Sequence, residues 1–461
     1  MGVRGWSVVA SGALTAVVSL ASSSGKSPTD KTQASFEVVS SVEISADEPA
    51  VRHVETALAV SPRDPKILVA ASIAFGKTDG VPLYATGDGG RTWQRGVDRR
   101  GKSVFLDGLD PAVSFDEEGT AYALSTGDQL GVAKSTDGGV TWLPTVVVPG
   151  DAWDRPWIGN GGEGRVYVAG KLPVSVFGHV ASDIIAVSSS TDRGASFSFP
   201  RLFLPAPEKA ALNIVSDVAV LPDERLLLAL QLFAPEALRE SPLHGFYGTI
   251  VSSDRGRTFG PPRPGPEFRT FGHAWEGKSL FGLGGARFAV DRTKGPRGGR
   301  LYLTWLGAEE GFYRVFASAS SDSGEHWSEA VAVDPNGGET DSSVPAVAVD
   351  GRGVVGIAWY DRRADPTDGC YQLFFAASRD GGATFDAAAP VDATRACPLL
   401  LRGSSAAKAP AEADPITSEY RFKNGGDTLG FVGLPQGGFQ IAWIRPGRAE
   451  LQLWSTQIRV R

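Results

Sequence analysis

Cysteine, methionine and histidine are scarce in this 461-residue chain, which holds 2, 1 and 5 of them. Two cysteines are too few for a disulfide framework or a four-thiolate zinc site. The histidines fall singly, and the chain has no His-Glu-x-x-His, Cys-x-x-Cys, Walker loop or Gly-x-Ser-x-Gly elbow. No cofactor is therefore expected. The segment from Asp334 to Asp341 has oxygen ligands that suit calcium but not the EF-hand spacing, so no metal is assigned. Basic residues form no block: 45 Lys and Arg face 52 Asp and Glu, a formal charge of −7. That balance argues against nucleic acid or an anionic membrane surface as a partner.

Turn formers and apolar residues are abundant instead. The 57 glycines and 30 prolines disfavour a mainly helical protein, while 42% hydrophobic residues suffice for a large core. Arg4 followed by an uncharged run from Trp6 to Leu20 and small residues at Ser19-Leu20-Ala21 reads as an export signal over 1–21. The run is shorter than the ~20 residues of a membrane-spanning helix. A polar linker covers 22–34, and the folded domain spans 35–461. A secreted, periplasmic or cell-envelope location is expected.

One eight-residue pattern occurs six times, with Ser or Thr first, Asp third, Gly fifth and an aromatic eighth. The copies start at Thr86, Ser135, Ser190, Ser252, Ser320 and Ser378, with their aspartates at 88, 137, 192, 254, 322 and 380. In a tight turn the hydroxyl and carboxylate can bond backbone N–H groups, Gly supplies a positive φ, and the aromatic returns to the core. An Asp repeated in this way is a fold determinant, so these six are not site candidates. The aspartates are spaced by 49, 55, 62, 68 and 58 residues, enough each time for four short strands.

The pattern resembles the Asp-box, or BNR repeat, of the sialidase superfamily and related β-propellers. The resemblance implies an all-β propeller of four-stranded blades. Seven blades are expected, with six, as in catalytic sialidases, the alternative. Residues 427–434, 438–444 and 451–458 supply three strands of a last blade that has no box, and the run from Ser35 to Ile44 closes it as the outermost strand. The fourth strand of every other blade is expected to begin at the aromatic of the repeat.

In such a propeller the repeats mark one face and ligands bind at the opposite mouth, where innermost strands begin. Reading that position blade by blade gives Glu55, Asp110, Asp154-Arg155, Asp217, Arg287, Ser343-Val344 and Asp427. The ends of second strands add Lys171, Gln231, Trp305, Tyr360-Asp361-Arg362-Arg363 and Arg445. Paired carboxylates suit glycoside cleavage, and Arg forks suit a sugar carboxylate or sulfate. Trp153 and Trp157, beside Asp154 and Arg155, suit stacking on a sugar ring. The expected assignment is Tyr360 or Asp154 attacking or assisting and Glu55 or Asp110 handling the proton. Arg155, Arg287, Arg362, Arg363 and Arg445 would bind substrate with Trp153, Trp157 and Asp427.

The chain departs from true sialidases on its first strand. Their Arg-Ile-Pro signature corresponds here to Val54-Glu55-Thr56-Ala57-Leu58, so the first arginine of their carboxylate-binding triad is absent. Three functions stay open: an exo-acting, sialidase-like hydrolase of an acidic glycan, a non-catalytic propeller that binds carbohydrate or protein, and a structural assembly role. Cys370 and Cys397 fall on connections that emerge on one face, and a disulfide between them is expected. The segment 392–426, low in complexity at 404–413, is expected to overhang the mouth and to be cut first by protease.

Overall fold

The computed structural model describes residues 35–76, 79–176, 179–203, 212–233, 243–270, 286–335, 340–365, 370–397, 425–447 and 449–461. The expected export signal and linker, and most of the segment 392–426, lie outside them. Among the described residues there is no helix, and therefore none long and apolar enough to cross a membrane.

Seven antiparallel sheets form a seven-bladed β-propeller. Their innermost strands are Arg52–Val60, Leu109–Phe115, Asp154–Gly161, Leu212–Val220, Arg287–Val290, Ser342–Val349 and Gly430–Gly433. Each packs against the next, and the last returns to the first, which closes the ring. Closure of the seventh blade is by Phe36–Glu43, which pairs with Leu451–Val460 from Phe36 opposite Val460 to Glu43 opposite Trp454. Ser45 and Gln452 bond at 2.7 Å just beyond that ladder. The two ends of the domain thus share one sheet, and no blade is left with a missing strand.

The core lies between blades. Second strands such as Leu68–Phe75 and Val355–Asp361 are apolar along most of their length because both their faces are covered. The repeats build the turns between third and fourth strands. In all six the first hydroxyl donates to the Asp Oδ1 at 2.7–2.8 Å and accepts the Gly N–H at 2.8–3.1 Å. The aromatics Trp93, Trp142, Phe197, Phe259, Trp327 and Phe385 join the clusters between blades. Apart from blade one, the fourth strand starts four residues beyond the aromatic rather than at it, at Val146, Arg201, Arg263, Val331 and Ala389. The ring must turn inward to pack, and a residue so placed cannot yet pair in the ladder.

Candidate functional site

The innermost strands enter the ring through a repeated distortion. In blades one, two, three and six a non-glycine residue takes a left-handed backbone: Glu55 (φ 48°), Asp110 (φ 49°), Arg155 (φ 48°) and Val344 (φ 50°). Pairing slips at each, between Val54 and Thr56, Leu109 and Ala112, Asp154 and Trp157, and Ser343 and Ala346. Blade four slips likewise between Val215 and Asp217. A bulge re-aims a side chain out of the pleat, and positive φ at a non-glycine residue costs on the order of 1–3 kcal/mol, which the surrounding structure must offset. Blade seven reaches the same place through glycine. A Cβ on Gly426 (φ 85°) would lie 2.1 Å from Cγ of Glu55, whose N–H donates to Gly425 O at 2.9 Å.

These entries converge. Arg155 Nη2 donates to Asp427 Oδ2 at 2.5 Å, joining blade three to blade seven, and Asp110 and Glu55 face the same guanidinium. The charge of Asp427, with lesser help from those two carboxylates, raises the arginine's pKa against the opposing effect of burial. Asp110 also accepts the Thr126 hydroxyl at 3.2 Å. On the other side, the Arg287 guanidinium lies 4.1 Å over the Trp157 ring and faces Asp217 and Asp427. Trp157 is fixed in turn by donating Nε1–H to Val215 O at 3.0 Å. Burial lowers the Arg287 pKa, and its Nη1 is a buried donor with no hydrogen-bond partner among the described residues. Burial also raises the Asp217 pKa from its ordinary value, although Arg287 and the N–H groups of Val218 (2.8 Å) and Phe288 (3.3 Å) pull the other way.

Six of the seven blades therefore contribute one charged side chain each: Glu55, Asp110, Arg155, Asp217, Arg287 and Asp427. Four carboxylates face two guanidiniums, an arrangement able to bind polar groups, hold an anion against arginine, and favour the protonated form of one carboxyl more than water does. Among the described residues no group of three His, Cys, Asp or Glu could hold a metal ion.

Most of the other sequence candidates bond elsewhere. Asp154 is half-exposed and pairs with Lys171 Nζ at 2.8 Å. Trp153 is buried between blades two and three with Nε1 bonded to Pro149 O at 3.1 Å, so it offers no stacking face. Tyr360 is not a phenol of the mouth. It is 1% exposed between blades six and seven, its hydroxyl accepts the Ile444 N–H at 3.0 Å, and its ring lies 4.4 Å from Tyr371. Its position on a strand covered on both faces dictates that burial. Arg362 is buried as well, whereas Arg363 binds Asp361 and Asp334 and lies over Phe374 of the third strand. Arg445 pairs with Asp392 and lies 3.6 Å over Trp454. Cys370 and Cys397 are joined in a disulfide. Asp217 stood among the mouth positions in the sequence without a chemical role; what marks it out is burial beside Arg287, for which the chain carries no local signal.

No family model and no curated protein matches the chain. Solved structures similar to it include a Hadza microbial sialidase, at 15% identity and TM-score 0.46, covering 85% of this chain and 73% of that one. A protein of unknown function from Dyadobacter fermentans aligns at 12% identity and TM-score 0.49 over 93% of this chain and 100% of that one. Trypanosoma rangeli sialidase aligns at 11% identity and TM-score 0.43, over 88% of this chain and 54% of that one.

Proposed function

We propose that this is an exported, sialidase-like propeller whose mouth takes an acidic glycan and cleaves its terminal sugar. The observation that carries the reading is the meeting of four carboxylates and two guanidiniums from six blades. Arg287, with a buried N–H not yet bonded, and Arg155 would hold the acidic group, and the exposed part of Trp157 would meet the sugar ring. Asp217, with its raised pKa, is suited to give the leaving oxygen its proton. Asp110, beside Arg155, is suited to stabilise or attack the anomeric carbon, whereas Glu55 is fully buried and packed under Gly426. The six repeats, in their resemblance to the Asp-box, support the sialidase-like assignment. The disulfide supports export into an oxidising compartment.

A second reading, a propeller that binds without cleaving, is favoured by one observation: the buried Tyr360 hydroxyl is unsuited to act as nucleophile. Screening the chain from residue 35 against labelled acidic glycans separates the two. Turnover that vanishes in Asp217→Asn while binding persists supports the hydrolase. Binding without turnover, lost in Arg287→Ala, selects the second reading. If wild type neither binds nor cleaves any acidic glycan, the mouth assignment is wrong.

A further inference from the structure

A cavity of about 630 Å³ lies between the outer strands of blades four and five, radially outside the ring of innermost strands. That volume is in the range of small-molecule sites, roughly 300–1,000 Å³. It opens on the mouth side, because its walls come from the ends of Leu243–Ser252 and Leu301–Glu309 that are remote from the repeat turns. Four aromatic rings line it: Phe246, Phe268, Trp305 and Phe316. Trp305 and Phe316 lie nearly parallel with centroids 5.9 Å apart, and Phe268 is held by stacking on Tyr247 at 4.4 Å. Gly307 makes the space, since a Cβ there would sit 2.8 Å from the Phe316 ring.

Charge on the walls is one-sided. Among the described residues, Glu267, Glu309 and Glu310 are exposed there, with one guanidinium, Arg269, and the imidazole of His244 beside them. Carboxylates around aromatic walls attract a cation twice, through charge and through the negative faces of the rings. A neutral sugar would gain only the second kind of surface, and an acidic one would be repelled. We propose that this cavity binds an organic cation, an ammonium group carried on a small apolar body, at a site separate from the mouth.

Calorimetric titration of the domain with choline and with its uncharged isostere 3,3-dimethylbutan-1-ol tests the proposal. Choline should bind at least about tenfold more tightly than the isostere. Replacing two of the three exposed glutamates, Glu309→Gln with Glu310→Gln, should weaken choline about fivefold or more while the thermal midpoint stays unchanged. Phe316→Leu should weaken it by a similar factor through loss of a ring face. Equal affinity for choline and the isostere, no choline binding, tighter binding of methyl galactoside, or an unchanged affinity in the glutamine pair would each overturn it.

Discussion

The two faces of the propeller solve the same task in opposite ways. On the repeat face one pattern recurs six times, and the bonds between its first hydroxyl, its Asp and its turn are local: Asp192, for example, takes the Ser190 and Ser196 hydroxyls within a seven-residue stretch. On the mouth face the backbone device recurs but the side chains differ from blade to blade, and their bonds span the chain, as from Arg155 to Asp427. The electrostatics diverge too. Hydrogen bonds from Ser196 and Ser190 lower Asp192 to a pKa of about 2, whereas burial raises Asp217. A face that stabilises charge locally builds the scaffold. A face that gathers costly charges from distant segments is the place to look for chemistry.

That contrast can be broken most strongly at the connections of the mouth side. Replacing Cys370 and Cys397 by serine opens a 27-residue separation and should lower stability by roughly 3–4 kcal/mol in urea unfolding. Arg155→Ala removes one ion-pair partner of Asp427, a carboxylate only 7% exposed, and should cost about 2–3 kcal/mol. Arg155→Lys, which keeps the charge, should cost less. On the repeat face Ser190→Ala leaves the Gly194 N–H without its acceptor and should cost about 1–2 kcal/mol, because only one local turn is disturbed.

The smallest effect is the dependence on pH. Asp192 has its pKa lowered in the fold, from 3.8 to about 2. Its contribution is complete above about pH 4 and is lost as pH falls towards 2. The other five repeat aspartates are shifted in the same direction. Asp217 acts with the opposite sign, binding its proton more tightly when folded, so it opposes folding as pH rises through the ordinary carboxylate range. Urea midpoints between pH 5 and 2 should fall with acidification, and Asp192→Asn should flatten that slope.

Much of the scaffold was legible because its signals are local. The hydroxyl, Asp, Gly and aromatic of each repeat lie within eight residues, so their turn can be read without knowing the fold, and the strand left over at Phe36 implied closure of the last blade. Positions on the mouth were legible through the same count, which placed Glu55, Asp110, Arg155 and Arg287 on inner strands, while Asp427 lies just before the inner strand Gly430–Gly433 rather than on it. Their pairings were not, since Arg155 and Asp427 are 272 residues apart. Nor was the burial of Tyr360: a phenol at a strand end reads alike whether it faces solvent or the Tyr371 ring. The bulges were hidden because their left-handed residues are Glu, Asp, Arg and Val, not glycine.

The division into scaffold and site is tested most directly by comparing one carboxylate from each face. For a glycan bound by wild type, affinity should be measured in Asp427→Asn and in Asp192→Asn, both of which preserve side-chain size. The mouth substitution should change the dissociation constant by about tenfold or more, and the repeat substitution by less than about twofold. Equal effects, or a larger one from Asp192→Asn, would contradict the assignment of ligand binding to the mouth.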